Sequence, residues 1–158
     1  MILEGRIAHS FRSIIFLANS CKIHTNPPRI QIIRRINMAD PRPTNINLHQ
    51  KSHVLEIEFD DGSQFKYSTE FLRVHSPSAE VRGHGPGEEK LQIGKSDVNI
   101  NAIEPVGVYA VKLVFDDSHD SGLYTWSYLY ELGANYDAKW QNYLQRLKDA
   151  GHKHAELN

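Results

Sequence analysis

The most constraining feature of this sequence is an alternating stretch folded about a turn signal. Val54, Ile57 and Phe59 are interspersed with His53, Glu56 and Glu58, close to the period of two expected of a half-buried strand. Asp60-Asp61-Gly62-Ser63 follows, and Gln64 to Tyr67 reads as the returning strand of a hairpin. Such a pair has one apolar face that must be covered, so the rest of the chain has to supply a lid. Ser68 predicts an N-cap for a short helix through Glu70, Phe71, Leu72 and Val74, stopped by Pro77. Residues 76–96 read as a long loop rich in Gly and Pro. Val98, Ile100, Ala102 and Ile103 suggest a strand, Glu104-Pro105-Val106-Gly107 a turn, and Tyr109 to Phe115 the strongest strand of the chain. After a polar cluster at residues 116–122, Leu129, Leu132, Tyr136, Trp140, Tyr143 or Leu144, and Leu147 recur at helical spacing. Gly133 caps a first segment or kinks a longer one, and Gly151 ends the run. The expected fold is α+β: a small, mainly antiparallel sheet with a short helix and a C-terminal helical segment packed on it.

At 158 residues the chain accommodates one domain with its own core. Its charge is uneven. Residues 1–37 carry six of the 18 basic residues (Arg6, Arg12, Lys22, Arg29, Arg34, Arg35) and one of the 19 acids, Glu4, which leaves the remainder at a net −6. Three readings of this stretch compete: a targeting peptide, a basic arm for an acidic partner, or upstream sequence preceding a true start at Met38. The last is favoured, because Met38-Ala39-Asp40-Pro41 resembles an ordinary start and patterning begins only later. The expected organisation is a disordered or spurious extension over residues 1–45, a domain over 46–150 and a tail over 151–158.

Several function classes fall away. The single cysteine, Cys21, excludes a disulfide framework and a four-cysteine zinc site within one chain. No apolar run is long enough to span a bilayer, and the acid excess after residue 37 argues against a nucleic-acid groove. Gly94-Lys95-Ser96 resembles the end of a phosphate-binding loop, but Glu89 stands where that pattern requires glycine. Gly83-His84-Gly85-Pro86-Gly87 follows no strand, and Pro86 removes an amide donor, so it is no dinucleotide fingerprint. One constellation is metal-like: Asp116, Asp117, His119 and Asp120 on one turn, with His75, Glu80 and His84 in or beside the long loop. Imidazole and carboxylate together suit iron, zinc or manganese. Solvated turn acids and a hydrogen-bonded histidine are the competing explanation.

Leu55 to Gly62, Phe71 to Gly87, Val98-Asn99-Ile100, Phe115 to Gly122 and Trp126 to Leu132 together resemble the gamma-butyrobetaine hydroxylase-like N-terminal domain, the DUF971 family, from about Leu48 to Leu147. In the hydroxylases that domain precedes a separate Fe(II)/2-oxoglutarate oxygenase domain. It holds structural zinc through a Cys-x-Cys-x-x-Cys cluster and one distant histidine. The cluster's register falls on Ser76, Ser78 and Val81, and the histidine's on His119, so only His119 is retained. The resemblance therefore implies neither hydroxylase activity nor an intact zinc site. Related domains fused to P-loop ATPases of iron–sulfur delivery imply an accessory role near iron handling.

The leading expectation is a non-catalytic, cytoplasmic binding module acting on a protein partner, without nucleic acid or membrane. The alternative is an iron- or zinc-binding protein using His84, His119, Asp116, Asp117 and Glu80. No tightly bound structural zinc is expected, because two histidines and flexible acids make a weaker site than three thiolates.

Overall fold

Residues 40–83 and 89–154 are described in a computed structural model of the chain. The predicted hairpin is present as β2 (Val54–Phe59) and β3 (Gln64–Ser68), with Gly62 at φ 84° in the turn. Leu55 pairs with Tyr67, and Ile57 with Phe65. Leu55, Ile57 and Phe59 are buried on one face while Glu56 and Glu58 lie on the other, as the alternation requires.

β1 (Pro43–His49) pairs antiparallel with β2, placing Ile46 opposite Ile57 and Leu48 opposite Leu55. The sequence does not announce this strand, which is the first element among the described residues. β1 is an edge strand with a polar, irregular composition, and its pairing rather than its own pattern makes it a strand. The expectations for residues before 40, including Met38, lie outside the described residues.

Ser68 caps α1 (Thr69–Val74) by accepting from the Phe71 amide at 3.1 Å. A four-residue helix, α2 (Ala79–Arg82), breaks the stretch expected to be loop. A second three-stranded antiparallel sheet follows, with β5 (Ala110–Phe115) between β4 (Ile100–Val106) and β6 (Leu123–Thr125). The expected α+β class, with antiparallel strands and packed helices, is present, its strands arranged as two small sheets. β4 runs through Pro105, where the sequence suggests a turn; an edge strand tolerates a residue that cannot donate to the ladder. The turn itself falls at Gly107, φ 56°.

The C-terminal stripe is split into α3 (Trp126–Ala134) and α4 (Tyr136–Asp149). The break is at Asn135, not at Gly133. Gly133 serves packing instead: a Cβ there would lie 2.3 Å from the Phe65 ring. Leu129, Leu132, Trp140, Tyr143, Leu144 and Leu147 are buried with the apolar faces of both sheets in one cluster. Buried phenols stitch these layers through backbone carbonyls: Tyr67 Oη donates to Leu129 O and Tyr124 Oη to Leu72 O, each at 2.8 Å.

Candidate functional site

The turn after β5 is built by Ser118, which takes a left-handed φ of 67°. This conformation lets the His119 amide donate to Asp117 Oδ1 at 3.3 Å, while the Phe115 amide donates to His119 O at 3.0 Å. The same turn is tied to the residue before β4. The Asn99 amide donates to Asp116 Oδ1, and the Asp116 amide to Asn99 O, both at 3.0 Å.

His119 is carried by this turn into the end of α1 and the start of α2, and is only 5% exposed. Its Nδ1 is 3.2 Å from Glu80 Oε2 and its Nε2 is 2.8 Å from Ser76 Oγ. A carboxylate only accepts, so Nδ1 carries the proton and Nε2 accepts from the serine hydroxyl. Burial and the Arg73 guanidinium push the imidazole pKa below its ordinary value, against the opposing pull of Glu80 and Asp117. Both lowering effects favour the neutral ring, whose lone pair at Nε2 can accept from the serine.

The order serine, Nε2, Nδ1, carboxylate has the connectivity of a hydrolase triad. Its surroundings do not. Ser76 is 1% exposed, its Oγ also accepts from the Ser78 amide at 3.4 Å, and a Cβ on Gly122 would lie 2.3 Å from that oxygen. A nucleophile so enclosed cannot meet a substrate carbonyl. The triplet is a crosslink between chain segments.

Asp117 is used equally fully. Its Oδ2 accepts from Arg73 Nε at 2.8 Å and Lys95 Nζ at 2.6 Å, with the Arg73 side chain 4% exposed. Burial works to raise the carboxyl pKa, but Lys95 and Arg73 outweigh it and hold the group below its ordinary range.

The predicted metal set therefore divides. Glu80 and His119 come together. Asp116 and Asp117 do not join them as ligands, because Asp116 is bonded to Asn99 and Asp117 neutralises two cations. His84 lies outside the described residues. Among the described residues no three His, Cys, Asp or Glu side chains are grouped so as to hold a metal ion. The structural zinc of the resembling hydroxylase domains does not fit here either. Ser76 and His119 bind each other, Val81 offers no donor, and among the described residues only the buried Ser78 Oγ lacks a hydrogen-bond partner. Ser76 was legible as a position in the register of the resembling domains' zinc cysteines, whereas Arg73 and Lys95 carry no local sequence signal.

Among the described residues, an open cleft lies beside this crosslink. A cleft of about 860 Å³ is bounded by the ends of α1 and α2, residues 89–92, and the facing sides of α3 and α4. His75, which caps α1, lines it. His75 Nδ1 is held 2.9 Å from Phe71 O, leaving Nε2 with the lone pair. Burial lowers its pKa; the Phe71 carbonyl opposes this, and Lys139 and Arg146 add to the lowering. Across the cleft Tyr128 donates to His75 O at 2.7 Å, and the Arg82 guanidinium stands 4.8 Å above the Tyr128 ring. Sequence reading could not find this cleft, because its lining comes from five separate segments.

Comparison with known proteins agrees with the architecture. Residues 46–130 match the family model described as gamma-butyrobetaine hydroxylase-like, N-terminal. Two proteins solved by NMR in solution are similar to the chain. One is 54% identical, covering 75% of this chain and 88% of that one, with a TM-score of 0.65. The other is 49% identical, covering 72% and 89%, with a TM-score of 0.63. A crystal structure of a DUF971-family protein of unknown function from Acidithiobacillus ferrooxidans ATCC 23270 is 35% identical over 59% of this chain and 93% of that one, with a TM-score of 0.50. No curated protein matches the sequence. Among the described residues no helix is long and apolar enough to cross a membrane.

Proposed function

The chain belongs to the gamma-butyrobetaine hydroxylase-like N-terminal family, and we propose that it acts as a non-catalytic binding module that engages a protein partner through the cleft between α1–α2 and α3–α4. The carrying observation is the contrast between two neighbouring regions. At the 116–119 turn, Asp117 and both His119 ring nitrogens are spent on internal bonds. In the cleft, charged and amide side chains of both helical layers line an open volume of about 860 Å³. Groups already satisfied hold a fold together, whereas a concave, mixed-polarity opening supports recognition. The same contrast favours a binding role over the metal-binding alternative. A cytoplasmic accessory role in iron or iron–sulfur metabolism is the context we attach to this module, by likeness to related domains fused to iron–sulfur delivery ATPases.

The test is a photo-crosslinking amino acid placed at Asn142, an exposed residue lining the cleft, with a control at exposed Gln141. Capture of one protein at position 142 but not 141, followed by reconstitution of the complex from purified components, is expected. Equal capture at both positions, or failure to reconstitute, counts against the cleft as the recognition surface.

A further inference from the structure

We infer that the occupant of this cleft is an acidic segment of the partner protein, bound through its carboxylates; this rests on the binding-module reading and specifies its chemistry. The argument is one of charge and shape. Residues 38–158 carry a net −6. Yet the cleft lining includes Arg82, Lys90, Lys139 and Arg146 against only Glu89 and Glu131, an excess of two positive charges among described residues. The local sign is thus opposite to that of the domain. Within a concave wall such an excess concentrates anions.

The four cations are not equally engaged. Lys139 pairs with Glu131 at 3.3 Å, and Arg146 approaches Glu89 at 4.0 Å while its Nη2 donates to Glu89 O at 2.6 Å. Arg82 and Lys90 are exposed and have no carboxylate partner among the described residues. Arg82 is instead oriented by its position above Tyr128, which presents a planar, five-donor group suited to carboxylates. Half-buried Leu91 and Tyr128 add apolar surface to the lining, over the buried Val74 and Val81. The combination fits a peptide bearing carboxylates interspersed with apolar side chains better than a small inorganic anion, which would leave that apolar surface unused.

The probe is a fluorescein-labelled, amidated octapeptide alternating glutamate with leucine, titrated into the full chain at low salt and followed by anisotropy. Three comparisons accompany it: the same peptide with glutamine for glutamate, the chain carrying Arg82→Glu and Lys90→Glu, and citrate as competitor. Both substituted side chains are exposed, and circular dichroism with thermal melting checks that the variant folds. We expect the acidic peptide to bind at least tenfold more tightly than the glutamine peptide. That binding should weaken at least tenfold in the variant and fall with added salt. Absent binding, equal binding of the neutral peptide, or binding unchanged in the variant overturns the inference. So does displacement by citrate at equal carboxylate concentration, which would make the occupant a small anion. A non-acidic protein captured and reconstituted at position 142 would sink this inference while leaving the binding-module reading intact; capture failing altogether would sink the module itself.

Discussion

Ser76 Oγ lies 2.8 Å from His119 Nε2, joining the end of α1 to the turn after β5 across 43 positions of sequence. Ser76 and Ser78 occupy the register at which the resembling hydroxylase domains place zinc-binding cysteines, and one hydrogen bond now makes the connection that a metal would make there. Ser76→Ala leaves the buried Nε2 without a donor and is expected to cost ~1–3 kcal/mol in denaturant unfolding. Gly122→Ala should also destabilise, because its Cβ would press on the same oxygen. An unchanged unfolding midpoint in both variants would show that the crosslink contributes nothing.

The same relationship predicts that metal binding can be installed. His119 is already buried beside Ser76, Ser78 Oγ is buried without a partner, and Val81 is 3% exposed on α2. The triple variant S76C/S78C/V81C is expected to take up one zinc ion per chain, with H119A on that background weakening the binding. Metal analysis after exhaustive dialysis decides it, and a triple variant that folds yet retains no zinc would refute the geometric equivalence.

Asp117 is expected to be the most sensitive acid of the turn. Removing it strands the Arg73 guanidinium, whose side chain is 4% exposed, together with Lys95. Asp117→Ala should cost ~3–5 kcal/mol, the range for breaking a buried ion pair from one side. A loss near that of an exposed pair, below ~1 kcal/mol, would mean that water solvates Arg73.

Two histidines give the fold an acid sensitivity above the carboxylate range. His75 and His119 both have pKa values depressed in the folded chain, in each case first by burial. The unfolded rings take up protons near pH 6.5 while the folded ones resist. Stability is therefore full above about pH 6.5 and falls as pH drops from there through the depressed folded values. Melting temperature measured from pH 8 to 5 should follow that course. The double variant His75→Gln and His119→Gln should show a shallower decline, even if it is less stable throughout. An identical slope would assign the effect to other groups.

Trp140 is 7% exposed and packs near Phe71, Tyr136 and Tyr143. Trp140→Ala is expected to cost ~3–5 kcal/mol. A cost under ~1 kcal/mol would show that the helical stripe does not anchor the core.

Elements whose signals are local can be read from the residues alone. The β2–β3 hairpin follows from alternation and a glycine that can take positive φ. The α1 cap follows from Ser68, and the α3–α4 face follows from apolar residues three and four apart. The sequence also marked Glu80 and His119 as chemically notable. The remainder depends on long-range packing. β1 is a strand because β2 offers it an edge. Gly133 is a packing site because Phe65 arrives from β3 against α3. Asp117 is a counter-ion because Arg73 and Lys95 converge on it from distant segments. The cleft depends on the same long-range assembly, with Arg82, Lys90, Tyr128 and Lys139 separated along the chain and joined only around one volume. Propensity and periodicity report what neighbouring residues do to one another, whereas ion pairing, close approach and concavity depend on which distant surfaces are pressed together when the core is buried.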